Sequence, residues 1–194
     1  MTKTYLLQAI RKEVTDTQII TYCQQASRRE QGFRMLMSKY QERLYWHIRR
    51  MVIEHEDAND VLQNTLVKVY KGIPKFKGHS TLYTWLYRIA TNESLTFLKR
   101  KNRNRTTSIE DQLTELANQL RADTYFDSNE AAIKLQQAIV RLPERQKMVF
   151  NMRYFEEMSY QEISDILETS VGGLKASYHH AAKKVEEYLK AHSE

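Results

Sequence analysis

The chain has 194 residues, enough for one large domain or two small ones, and carries a formal charge of +6. That balance favours polyanionic partners, because each phosphate neutralised by Lys or Arg releases condensed counterions, although a merely basic surface would carry the same charge. A single cysteine excludes an intramolecular disulfide, and five glycines with two prolines are too few for the turns of a strand-rich fold.

No apolar run approaches the ~18 residues of a membrane span. Met1 to Lys12 sets Lys3, Arg11 and Lys12 around a short apolar patch without a cleavage site, so a cytoplasmic protein is expected. Residues 1–15 read as an N-terminal extension. From 16 to 102 helical periodicity is nearly continuous, with breaks at Gly32 and from Gly72 to Ser80. Cys23 falls inside this pattern as a small buried hydrophobe rather than a nucleophile.

Ala58, Val61, Leu62, Thr65, Leu66, Val69 and Tyr70 share one helical face, and Asp60, Gln63, Asn64, Lys68 and Lys71 the other. A solvated face would suffice for such a pattern. Amides in mid-helix, where Lys or Glu form helix better, point instead to a binding surface. The stretch Ile73 to Thr81 contains Pro74 and Gly78 and is a loop rich in hydrogen-bonding side chains. Its following helix puts Leu82, Trp85, Leu86 and Ile89 on one face, which makes Trp85 a core residue rather than a base-stacking platform. Tyr83 and Tyr87, at i,i+4 on an adjoining face, are expected to be partly exposed. The helix closes on Lys99-Arg100-Lys101, followed by Arg103 and Arg105. These cations suit a helix C-terminus, but their number suits a phosphate backbone better.

Residues 103–128 are polar, with Thr106-Thr107-Ser108 and scattered acids, and are expected to be a flexible linker. Ile109, Leu113, Leu116 and Leu120 could add an amphipathic turn or two. A second compact segment covers 129–190. In it Met158-Ser159-Tyr160-Gln161-Glu162-Ile163 forms a capping box with a hydrophobic staple, opening a short helix on Ile163, Ile166 and Leu167. Glu168-Thr169-Ser170 makes a turn, with Ser170 as the next N-cap. The last helix buries Val171, Leu174, Tyr178, Ala181, Val185 and Tyr188, and turns Gly172, Gly173, Ala176, His179, His180 and Lys183 outward beside Lys175. Each glycine in that first turn costs roughly 0.5–1 kcal/mol relative to Ala, a cost that close approach to another surface would offset. An ordinary helical hairpin is the alternative. A short helix, tight turn and basic outward face together favour a helix-turn-helix reading the major groove.

His179-His180 is rejected as a metal site, since adjacent helical residues point about 100° apart and no third ligand is near. Six scattered histidines, one cysteine, no Gly-rich phosphate loop and no spaced carboxylate pair leave nothing to assemble into an active site. No enzyme activity, cofactor or small-molecule substrate is therefore expected. A helix-turn-helix repressor or activator would explain the second segment and the charge, but not the amide-bearing helix before an aromatic, basic one.

The run Asp57-Ala58-Asn59-Asp60-Val61-Leu62-Gln63-Asn64-Thr65-Leu66 resembles the polymerase-binding helix of bacterial sigma factors. Phe76 to Asn92 is similar to the element that opens and reads the downstream (-10) promoter box. Leu142 to Gln146, Tyr160 to Ser164 and Ser170 to Lys175 resemble the domain that reads the upstream (-35) box. Two domains with a short linker are typical of the extracytoplasmic-function group, and the resemblance covers roughly residues 16 to 190. It implies an all-α fold of two small helical domains, region 2 over 16–102 and region 4 over 129–190. It also implies a factor that directs core RNA polymerase to promoter DNA through the β-prime clamp and β flap, with an anti-sigma factor as a further partner. By position, Asp57, Asp60, Gln63 and Asn64 would face the clamp. Lys77, His79, Ser80 and Thr81 would form a pocket for an extruded base, and Arg88, Asn92, Lys99 and Arg100 would follow the opened strand. Gly172, Gly173, Lys175, Ala176, His179 and Lys183 would meet the upstream box. Asn59 and Asn64 stand where acids are usual, which implies a less electrostatic clamp contact. Ser177, His180 and Ala182 replace common arginines, which implies weaker phosphate anchoring. A linker of about 25 residues could span up to ~80 Å, against ~70 Å for elements two helical turns apart.

Overall fold

The computed structural model describes residues 14–102, 109–122 and 129–192, and every regular element among them is a helix. Arg103, Arg105, the Thr106–Ser108 run and the extension up to residue 13 lie outside the described residues.

Thr15 and Gln18 open α1 (Asp16–Gln24) with a reciprocal capping box: Gln18 N–H donates to Thr15 Oγ1 at 3.2 Å, and Thr15 N–H to Gln18 Oε1 at 3.2 Å. A 3-10 turn (Ala26–Arg28) leads into α2 (Arg29–Val52), antiparallel to α1. The two cross closely at Gly32, where a Cβ would lie 2.6 Å from Cys23 N and 2.8 Å from its Sγ. Further along, Asp16 accepts hydrogen bonds from Tyr40 Oη at 2.7 Å and Lys39 Nζ at 2.8 Å. Cys23 is buried, as expected.

The α2–α3 connection is abrupt. Glu54 N–H donates to Val52 O at 3.0 Å across a γ-turn whose central residue, Ile53, sits at φ 74° and ψ −50°. For a β-branched side chain that is strained backbone. Then α3 (His55–Gly72), a 3-10 turn (Ile73–Lys75) and α4 (Leu82–Asn102) complete the first bundle. Leu36, Leu44 and Ile48 of α2, Val61 and Val69 of α3, and Leu82 and Leu86 of α4 fill its core. Burying side chains of this size contributes roughly 1.5–3 kcal/mol each.

Within the expected linker, residues 109–122 form a full helix rather than a turn or two: α5 (Ile109–Ala122). Its Leu113, Leu116, Ala117 and Leu120 pack on Ile133 of α6 (Glu130–Val140), flanked by Ile53 and Val140. A stripe this narrow is a marginal helix alone; its partner, distant from the local composition, stabilises it. Then come α7 (Glu144–Tyr154), α8 (Tyr160–Leu167) and α9 (Val171–Ala191). Between α6, α7 and α9 lie Ala138, Ile139, Leu142, Phe150, Ala181 and Val185.

The two helical segments touch. Val149, Met152, Met158, Ile163, Ile166 and Leu174 join the core of the first bundle, as α7 packs on α2 and α8 on α4. Among the described residues no helix is long and apolar enough to cross a membrane.

Candidate nucleic-acid and protein interfaces

The polar stripe of α3 is real surface. Asp60, Gln63, Asn64, Lys68 and Lys71 are exposed, and Ala58, Val61, Leu62, Thr65 and Val69 are buried opposite them. Tyr70 departs from its expected face, and Val67, assigned to neither face, is exposed. Tyr70, placed with the core, is 37% exposed, and Val67 is 52% exposed in the middle of the polar stripe. Tyr70 lies at the bundle rim, edge-on to Phe33 at 5.0 Å and under the Arg29 guanidinium at 4.2 Å. Asp57 is engaged at home: Lys101 Nζ donates to Asp57 Oδ2 at 2.5 Å and to Glu54 Oε1 at 2.7 Å. Burial alone would lower the Lys101 ammonium, but its bonds to Asp57 and Glu54 outweigh that and raise it. Lys101 therefore ties the end of α4 to the start of α3, while Lys99 and Arg100 project to solvent.

The loop before α4 is pinned at its base and open at its tip. Gln24 Nε2 donates to Phe76 O at 2.9 Å, and the Phe76 ring meets Trp85 at 5.2 Å. Trp85 is half-buried against the core, its ring closing on Gly72, where a Cβ would lie 3.0 Å from it. Gly78 takes φ +73°, which a side-chain-bearing residue would resist, and Lys77 and His79 beside it are exposed. Thr81 is committed to structure: its Oγ1 accepts from Thr84 N–H at 3.1 Å and caps α4.

Along α4, Tyr87 is 2% exposed, against the expectation of a partly exposed face. The second segment lies over it, a cover that i,i+4 spacing within α4 could not reveal. The Tyr83 and Tyr87 rings meet at 4.3 Å with their planes tilted by 36°, and Tyr87 meets the His47 ring at 4.8 Å. Burial, then the Glu156 carboxylate, pushes the Tyr83 phenol up to about 12 and the Tyr87 phenol up as well. Arg88 reaches across to the turn of the helix-turn-helix, donating to Asp165 O and pairing with Glu168 Oε1 at 3.2 Å. Arg88, Asn92 and Lys99 form one wall of a groove of about 400 Å³; Arg145, Leu167 and Thr169 form part of the other.

The helix-turn-helix assembles as its sequence signals. Glu162 N–H donates to Ser159 Oγ at 3.2 Å and Ser159 N–H returns to Glu162 Oε2 at 2.8 Å, with Met158 and Ile163 both buried. Glu168 turns the chain in the left-handed region at φ 52°, and Ser170 Oγ accepts from Gly173 N–H at 3.3 Å to start α9. Leu174, Ala181 and Val185 face inward. Gly172, Lys175, Ala176, His179, His180 and Lys183 are exposed, with Gly173 half-exposed between them. A Cβ on Gly172 would meet nothing within 4 Å, so the free protein has no need of glycine there. Sequence reasoning missed Arg145, which donates to Thr169 Oγ1 at 3.2 Å and braces that turn. It also missed Glu156, buried between the segments; nothing local marks a loop acid for burial.

Three comparisons bear on these surfaces. A family model of sigma-70 region 2 matches residues 36–104, and one of sigma-70 region 4 matches 132–185. The chain is 30% identical over 185 residues to an ECF RNA polymerase sigma-E factor of Haemophilus influenzae, covering 90% of this chain and 95% of that one. It is 30% identical over 184 residues to the RNA polymerase sigma-H factor of Pseudomonas aeruginosa, covering 90% and 93%. Among solved structures, CnrH in complex with the cytosolic domain of CnrY shares the fold at TM-score 0.67 and 20% identity, over 91% of this chain and 98% of that one. The sigma factor RpoE of Bartonella quintana, in complex with the anti-sigma factor NepR, does so at TM-score 0.63 and 19% identity, over 82% and 98%.

Proposed function

The chain belongs to the extracytoplasmic-function group of sigma factors, which direct RNA polymerase to particular promoters, and from that premise we propose how its surfaces divide the work. Residues 16–102 bind core polymerase and read the -10 element, 103–128 connect, and 129–190 read the -35 element. The α3 stripe of Asp60, Gln63 and Asn64 meets the polymerase clamp, with Asp57 at its head sharing a carboxylate with Lys101. The open tip around Lys77 and His79 receives a base extruded from the -10 element, with Ser80 and Thr81 shaping its floor. Arg88, Asn92, Lys99 and Arg100 follow the strand. Gly172, Gly173, Lys175, Ala176, His179 and Lys183 enter the major groove at the -35 element.

The observation that carries this reading is the pairing of an exposed, amide-bearing α3 with an exposed, capped α9 in one chain. An isolated repressor domain needs only the second. The protein catalyses no chemistry of its own, works in the cytoplasm beside the polymerase, and contacts the β flap through its second half. An anti-sigma factor is a further partner, supported by the relative solved with one. Run-off transcription with core polymerase and a library of promoter fragments tests the whole. The chain should start transcripts from a sequence-defined subset; initiation no better than that of core enzyme alone would refute it.

A further inference from the structure

On α9 the residues assigned to base edges run along one line, Gly172, Ala176, His179 and Lys183, at successive turns of an exposed face. A helix lying in a major groove is flanked by two sugar–phosphate rims, so the edges of that line meet phosphates while the line itself meets bases. The two edges differ. One carries Lys175, its ammonium 5.9 Å from the centre of the Tyr160 ring of α8, and then the uncharged Ala182. The other carries Gly173, Ser177 and His180 through the first three turns. Its one ionisable group there is the His180 imidazole.

His180 is exposed, and among the described residues nothing makes a hydrogen bond or an ion pair with it; its ring contact is His179, edge-on at 5.8 Å. The charged groups around it are engaged elsewhere. Lys183 stands 3.9 Å from Glu187, Lys184 donates to Gln146 of α7 at 3.2 Å, and Glu186 pairs with Lys190 further along. Beside Gln146, α7 carries Glu144 and Arg145, and Arg145 donates to Thr169 Oγ1 at 3.2 Å. The acids of α8, Glu162 and Asp165, bond to Ser159 and Gln161. Towards the far end of α9, Lys134 of α6 donates to His192 O.

An imidazole differs from the guanidinium or ammonium that usually meets a phosphate in one respect: it is a cation only when protonated, and that change falls in the ordinary cellular pH range. A neutral ring gives a phosphate a hydrogen bond at most, whereas a protonated one also releases about one counterion. We propose that His180 is a proton-dependent phosphate anchor, through which the grip of this factor on the upstream promoter element tightens as pH falls. This rests on the assignment of α9 to the -35 element made above. The sign follows from the phosphate, which favours the charged ring, so that binding takes up a proton. A phosphate that raises an imidazole by about one unit from its ordinary ~6.5 makes binding roughly fivefold tighter at about pH 6 than at about pH 8.

The test uses holoenzyme assembled with the full chain and reads the anisotropy of a fluorescent promoter fragment at those two pH values across a salt series. His180→Arg fixes the positive charge and His180→Ala removes it; both lie on an exposed helix face, where such changes leave the fold intact. The parent should approach the arginine variant at the lower pH and the alanine variant at the higher one. Its affinity should move by roughly fivefold relative to the alanine variant, and its log–log salt slope should be steeper by about 0.9 at the lower pH. Taking the ratio to the alanine variant at each pH removes the pH effects of the polymerase and of His79 in the loop before α4. A parent whose ratio to the alanine variant is the same at both pH values overturns the anchor. Lys175→Ala tells that failure from a wrong assignment of α9: promoter affinity lost at both pH values keeps the helix on DNA and confines the failure to His180, while unchanged affinity removes the assignment as well.

Discussion

The phenols of Tyr83 and Tyr87 make the fold sensitive to base. Both are packed against the second segment and held in the neutral form by burial and then by Glu156. Because their folded pKa values exceed the ordinary 10, their stabilising effect is complete below pH 10 and is lost as pH rises through the folded values. Urea midpoints should therefore decline from about pH 10 toward pH 12, and the double change Tyr83→Phe, Tyr87→Phe should flatten that decline. An unchanged profile would assign it to other groups. Gln63 and Asn64, by contrast, are exposed. Changing both to Arg should leave the urea midpoint within error and weaken core-polymerase binding at least tenfold, or ~1.4 kcal/mol; equal affinity would remove the α3 stripe from the clamp contact. Residue by residue, the exposure of the α3 amides could be read from sequence because helical periodicity sets them opposite the apolar face. The burial of Tyr87 and the capture of Arg88 could not, since His47 lies 40 positions from Tyr87 and Asp165 lies 77 from Arg88.

At the scale of elements, capping chemistry was the most readable signal. Ser159 with Glu162, and Ser170 before the glycines, announce two helix starts by short-range bonds that depend on nothing distant. The spacing of Leu113, Leu116 and Leu120 was equally visible, yet composition argued for a linker. Ile53, Ile133 and Val140, all outside α5, cover that stripe. The first turn of α9 allows a sharp test. Since nothing surrounds Gly172, Gly172→Ala should stabilise the protein by about 0.5–1 kcal/mol in urea titration. If the backbone there approaches a groove closely, the same change should weaken duplex binding several-fold. Gain in both would show that glycine is not kept there for DNA.

For the whole molecule, the contact between halves governs what sequence can and cannot convey. Each half was readable on its own, because periodicity and caps are local. Their union through Val149, Met152, Ile163 and Ile166 on one side and the first bundle on the other was not, because those positions serve either an internal core or an interface equally well. Charge acts at this scale too. Promoter binding by holoenzyme should fall steeply with salt, and Lys99→Ala with Arg100→Ala should lower the log–log slope by roughly 1–2, as two phosphate contacts would. Lys101→Ala should leave the slope alone, since its ammonium is spent on Glu54 and Asp57; a matching drop would place it on DNA instead.

Ile53 has a mechanical consequence. Its backbone is bent into a positive-φ turn while its side chain buttresses α5 and α6. Strain of this kind is worth on the order of 1–3 kcal/mol and persists only while the surroundings enforce it. The α5–α6 seat thus rests on a strained corner of the first bundle, so Ile53→Gly, which suits the positive φ but removes the buttress, should relieve the corner and loosen α5 at once, read as faster amide exchange in α5.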